Sequence, residues 1–233
     1  MEKLAYILWK PADRSAEEFG RAMRTEVAAG LHEAGARRLS VNVADEHVTQ
    51  AQAARITRLD PPIAGLVTFW LDVSGDRDAH ERLLGEATER LAGYLVLEAV
   101  PILNTTHTAE LGERTPGINM VACIERPERL THEAWIHHWF GHHRTVACET
   151  QWSYAYVRNE VVRPLTDDAP PWAGIVEEGF PAEAVTDPML WYKADGSQQR
   201  LEENLGRMIE SVNAFLDIDR VESNPMSEYL ISR

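Results

Sequence analysis

The chain reads as one unit written twice, and this repeat limits the possible folds more than any other feature. An apolar run, a basic residue and a proline open "LAYILWKPADRSAEEF" at Leu4, and the same succession returns in "NMVACIERPERLTHEAW" at Asn119. Ser15 and Thr131 stand at equal distances beyond Pro11 and Pro127, where a hydroxyl acts as a helix N-cap, and Glu18 completes a capping box in the first copy. A second match follows in the same order: "PPIAGLV" from Pro61 and "PPWAGIV" from Pro170, in each case a double proline that closes a loop before a strand.

Around these anchors each half predicts strand, helix, strand, loop, strand, helix, strand. The spans are roughly 3–10, 15–34, 36–44, 63–73, 77–92 and 94–104, then 117–126, 131–147, 152–162, 173–180, 197–216 and 220–232. The polar stretch "TTHTAELGERTPG" separates the halves. The expected fold class is α+β: two tandem ferredoxin-like βαββαβ modules, residues 1–105 (a degenerate copy) and 117–233, joined by a linker at 106–116. A module of this kind carries helices on one sheet face only and leaves the other apolar face in need of cover. Two copies can cover each other, so the expected architecture is an intrachain pseudo-dimeric α+β barrel.

Composition narrows the function classes. With 233 residues and 44% hydrophobic content the chain can bury a core without staples, and a net charge of −14 repels phosphate backbones and anionic lipid. Nucleic acid and membrane are therefore not expected partners. Cys123 and Cys148 show no CxxC spacing, which fits reduced thiols in a cytoplasmic setting. The apolar run in "MEKLAYILWKP" is too short to span a bilayer and lacks a cleavage pattern.

The densest chemistry lies in "HHWFGHH", His137 to His143, which holds four of the nine histidines. At about 100° per residue, Trp135, Trp139, Ile136, Phe140, Val146 and Ala147 form one apolar stripe. His143 falls inside that stripe, His138 and His142 at its edge, and His137 roughly opposite. The repeat aligns Phe19, Met23 and Val27 with Trp135, Trp139 and His143, so the position of His143 is apolar in the other copy. A buried imidazole needs a hydrogen-bond partner or a wet cavity, since burying it alone costs about 1 to 3 kcal/mol. His138 and His142 have i, i+4 spacing, but no third ligand stands at a recognisable offset, so no metal is expected.

Two strands supply further polar groups. "QWSYAYVRNEVV" alternates, with Trp152, Tyr154 and Tyr156 on one face. In "GIVEEGF", Glu177 and Glu178 point to opposite faces, so one carboxylate must turn inward or sit at the barrel rim; their counterparts in the first half are Thr68 and Phe69.

These residues resemble the EthD-like branch of the dimeric α+β barrel superfamily. The likeness lies in the second half: His138-Trp139 with His143, "YVRN" at Tyr156 to Asn159, "GIVEEGF" at Gly174 to Phe180, and the C-terminal "DRVESNPMSEYLI". The first half has Ala22-Met23 and Val27 in place of the histidine signature. The resemblance implies that His143 is the family's inward helix histidine, that Tyr156 and Asn159 are its second-strand polar pair, and that Glu177 is its third-strand acid. It also implies one histidine pocket per chain, where the family's usual homodimer has two.

The expected function is a cofactor-independent enzyme of lyase or isomerase type in small-molecule catabolism. His143 would move a proton on a small aromatic, cyclic or polyketide-like carbonyl compound, as a cyclase, isomerase, dehydratase or decarboxylase does. Tyr156 would donate to a developing enolate oxygen, Asn159 or Glu177 would set the histidine tautomer, and Trp139, His138, Tyr154 and His142 would bind substrate. Two other classes use the same residues: a protein that binds a small molecule without turning it over, and a haem-binding barrel. Either a monomeric pseudo-dimer or a homodimer is compatible with the repeat.

Overall fold

Strand β1 (Glu2–Trp9) is buried on both faces, as its nearly unbroken apolar sequence requires. Leu4, Tyr6 and Leu8 join a core beneath helices, whereas Ala5, Ile7 and Trp9 join a second core inside the sheet. This period of two sorts the whole protein into an outer layer and a barrel interior. The structure is a computed structural model that describes residues 1–233.

In the first half β1 is followed by α1 (Ala16–Ala22), a π-helical segment Met23–Val27 and α2 (Ala28–Glu33), which make one continuous rod. Then come β2 (Arg37–Val43), β3 (Gly65–Leu71), α3 (Asp78–Ala87) and β4 (Arg90–Ile102). The second half repeats the order with β5 (Ile118–Ile124), α4 (His132–Ile136), a π-helical segment His137–His143 and α5 (Arg144–Thr150). It continues with β6 (Ala155–Pro164), β7 (Gly174–Phe180), α6 (Pro188–Trp191), α7 (Gln198–Phe215) and β8 (Glu222–Leu230). The expected caps are present: Ser15 and Glu18 form the capping box, and Thr131 Oγ1 accepts from Ala134 N at 3.2 Å.

The strands close into a barrel in the order β1-β3-β2-β8-β5-β7-β6-β4. All neighbours pair antiparallel. Each half contributes four adjacent strands, and the halves meet at two seams, β2 with β8 and β4 with β6. The fold is thus mixed α+β with a closed eight-stranded antiparallel barrel, as the repeat predicted. The interior is filled: Trp9 and Trp172 stack with ring centroids 6.3 Å apart, and Tyr94 Oη donates to Pro170 O at 2.8 Å. Cys123 is buried in this core as a free thiol.

Some spans differ from expectation. The helix expected over 77–92 ends at Ala87, because Glu89 N donates to Trp9 O and Arg90 pairs with Trp9, which draws the chain early into the sheet. The loop between β2 and β3 carries a 3-10 segment, Glu46–Ala54, whose Val48 and Ala51 pack on Ile118, Met120 and Phe180 of the other half. Residues 103–117 hold no helix or ladder, only the isolated bridge Arg114 to Tyr229. No helix is long and apolar enough to cross a membrane.

Candidate functional site

Between the outer face of the second-half sheet and its helices lies a cavity of about 260 Å³. Its floor is set by alternation along three strands: Met120, Ala122 and Ile124 of β5, Tyr156 of β6, and Val176 and Glu178 of β7. Tyr156 and Glu178 are cross-strand partners, and Met120 faces Glu178 from the other side. Trp139 and His143 come from the π-helical segment, and Met208, Val212 and Phe215 from α7. Trp139 seats on Gly174, where an added Cβ would fall 2.5 Å from the indole Cη2, so a glycine is needed for the helix to approach this closely.

His143 has a partner that the sequence reading did not name. Its Nδ1 lies 3.1 Å from Ser211 Oγ, and its ring packs on Phe215 with centroids 4.6 Å apart. Ser211 also organises His138, whose Nε2 donates to the Ser211 carbonyl at 3.0 Å. Burial, then the neighbouring His138 and His142 and the Arg158 cation, lower the pKa of His143 to about 3, so the ring is neutral at physiological pH. A ring held this low acts at neutral pH as a hydrogen-bonding group, not as the proton carrier that the sequence led us to expect.

Glu178 moves the other way. Loss of hydration raises its carboxyl from 4.5 to about 7, so it is the group in the cavity whose proton is exchangeable near neutral pH. The phenol of Tyr156 is pushed up, first by burial and then by Glu178, and it stays a neutral donor. Arg158 is buried next to them. Its Nη1 donates to Trp139 O at 3.3 Å, and its guanidinium lies 4.0 Å from the Phe140 ring centroid, with no carboxylate in pairing distance.

The other expected site residues are dispersed. Asn159 and Glu177 lie inside the barrel, on the opposite side of the sheet from His143, because they differ from Tyr156 and Glu178 by an odd number of residues. There Asn159 Nδ2 donates to Glu177 Oε1 at 3.0 Å, Asn42 Nδ2 donates to Glu177 Oε2 at 3.3 Å, and Lys3 Nζ stands 3.8 Å from Glu177. Neither can set the tautomer of His143; Ser211 holds that place. Tyr154 packs over Gly117 and Gly179, donates to Pro116 O at 2.9 Å and stacks on His107, away from the cavity. His142 is exposed, and His138 adjoins the cavity only through Ser211.

The first half is an internal comparison. The repeat places Tyr6 at the position of Ala122, Phe69 at that of Glu178 and Val27 at that of His143, and aligning the ends of α3 and α7 places Leu83 at that of Ser211. Tyr6 and Phe69 stack at 5.6 Å and fill the space that the second half leaves open. The π-helical segment is present in both halves, so the widened turn belongs to the repeat and not to the histidines.

No protein-family model matches the sequence, and no curated protein matches it. Solved structures match along the whole chain. An anthrone oxidase-like protein superposes with a TM-score of 0.58 at 10% identity, over 100% of this chain and 94% of that one. A candidate monooxygenase from Lactobacillus acidophilus gives 0.49 at 9% identity, over 99% and 96% of the two chains. A mutant chlorite dismutase from Candidatus Nitrospira defluvii gives 0.46 at 9% identity, over 97% and 90%. The first of these supports the α+β barrel fold, and at such identity the likeness concerns fold alone.

Proposed function

We propose that the chain is an enzyme that moves a proton on a small, largely apolar carbonyl compound with an aromatic or cyclic body, and that Glu178 is the group that carries the proton. The supporting observation is a carboxyl held near 7 in an apolar cavity, where it is close to half ionised at neutral pH and so suited to both taking and returning a proton. In this reading Glu178 takes a proton from carbon next to the carbonyl. Tyr156 and the neutral ring of His143 donate hydrogen bonds to the oxygen as negative charge develops there. Ser211 holds His143 by Nδ1 and leaves Nε2 as the ring nitrogen without a protein partner. Trp139 and Phe215 form walls against a flat ligand.

The resemblance of the second half to EthD-like proteins belongs to the same proposal, as do the division into modules 1–105 and 117–233 with a linker at 106–116, the cytoplasmic setting and the absence of a cofactor. The test is turnover over a panel of cyclic and aromatic carbonyl compounds. Glu178→Gln is expected to lower kcat by about 10² or more, and kcat is expected to show an inflection near pH 7 in the wild type. Full activity in Glu178→Gln would overturn the assignment. A Soret band in the purified protein would favour the haem class, and ligand binding without conversion would favour a binding protein.

A further inference from the structure

The first half holds a second cavity, of about 490 Å³, at the barrel end that carries Lys10. It exists because the β2–β3 connection is long: residues 44–64 link these strands, whereas residues 165–173 link β6 and β7 at the equivalent place. The longer loop carries Thr49, Gln52 and Arg55 to the cavity wall, opposite Pro61, Pro62 and Ile63.

The polar groups there are incompletely used. Arg55 is not in any ion pair, and its buried Nε has no hydrogen-bond partner. Gln52 spends its Nε2 on Val48 O and Pro225 O, at 3.2 and 3.3 Å, which leaves its buried Oε1 without a donor. Lys10 donates only to main-chain carbonyls, those of Arg14 at 2.7 Å and Pro11 at 3.4 Å, and keeps its charge free of any carboxylate. Two acidic residues also line the space, but neither neutralises these cations. Asp45 is saturated by Ser227 Oγ and Tyr229 Oη at 2.7 Å each and by His47 N, with Arg24 as its counter-ion at 3.7 Å. Glu89 is exposed at the rim and pairs with neither Lys10 nor Arg55.

Two cations that pair with no carboxylate, Arg55 and Lys10, set among alanine, proline and isoleucine side chains, describe an anionic ligand with an apolar body. We infer that this cavity binds a small organic monocarboxylate with an apolar body, its carboxylate on Arg55 with support from Lys10. In a chain of net charge −14 the general field opposes anions, so binding depends on these two side chains.

The probe is benzoate, titrated into the full chain by calorimetry, with benzyl alcohol, which has neither charge nor carbonyl, and inorganic phosphate as controls. One-site binding of benzoate, with benzyl alcohol and phosphate much weaker, is expected. Arg55→Gln is expected to weaken benzoate binding by roughly ten- to a hundredfold, the worth of a charge-assisted hydrogen bond. The side chain of Arg55 holds nothing else in the protein, so an unchanged thermal melt checks that the variant is folded. His143→Phe alters the other cavity and is expected to leave benzoate affinity unchanged. The inference is overturned if benzoate fails to bind at millimolar concentration, if Arg55→Gln binds it as tightly as wild type, if benzyl alcohol binds equally well, or if His143→Phe abolishes binding.

Discussion

Replacing Glu178 by glutamine keeps the shape of the side chain and removes its charge, so it isolates the cost of holding a carboxylate in the second-half cavity. An exposed glutamate titrates at 4.5, and burial holds this one near 7. Between those values the folded chain retains a proton that the unfolded chain has released, so stability falls as pH rises through this window and levels off above it. At about 1.4 kcal/mol for each pH unit the full loss is about 3 kcal/mol, of which the larger part accrues between pH 5 and pH 8. Glutamine does not titrate and escapes the loss. Urea unfolding of both proteins at the two pH values is the assay. The stability of Glu178→Gln relative to wild type is expected to be greater at pH 8 than at pH 5 by about 2 to 3 kcal/mol. If the difference is the same at both values, the carboxylate is hydrated in the folded protein and the reasoning from burial fails, and with it the assignment of Glu178 as the proton carrier.

Three other outcomes follow from the geometry. His143, held near 3, contributes stability that is complete above pH 6.5 and is lost as pH falls from 6.5 toward 3; ring NMR is expected to show it neutral at pH 5, and a titration near 6.5 would refute its burial. Ala122→Phe copies the ring of Tyr6 into the open half and is expected to raise stability by about 1 to 2 kcal/mol while abolishing ligand binding there; destabilisation with binding retained would show that the space is not a cavity of this shape. Lys3 is the buried cation that pairs with Glu98 and faces Glu177, so Lys3→Met leaves carboxylates uncompensated and is expected to cost about 3 to 5 kcal/mol by denaturant titration; a loss below about 1 kcal/mol would mean that water reaches them.

The fold was legible because its information is periodic. Strand alternation, the two capping hydroxyls and the paired prolines each act locally, and the repeat let one half check the other. The site was legible only in part. His143 stood out because valine occupies its place in the first copy, and Tyr156 followed from alternation. Asn159 and Glu177 came from the family likeness, and the parity of their strands turns both into the barrel interior. Glu178 was visible as one of two glutamates on opposite faces, but which face meets His143 depends on strand order, and that order is a property of the closed barrel. Ser211 left a weaker trace: it is a small polar residue between Met208 and Phe215 on the buried face of α7. What no periodicity announces is that the π-helical segment, α7 and the sheet, far apart in the chain, bring these residues together.

The widened turn shared by Met23–Val27 and His137–His143 has a consequence for engineering. Because this turn is already built alike in both halves, the difference between the two helix-to-sheet spaces beneath it resides largely in a few side chains. Tyr6→Ala, Phe69→Glu, Val27→His and Leu83→Ser would write the wall of the His143 cavity into the first half and give each helix layer a chamber of the same kind. Each chamber could then be redesigned alone, a freedom denied to any barrel built from two identical chains, where every substitution is made twice.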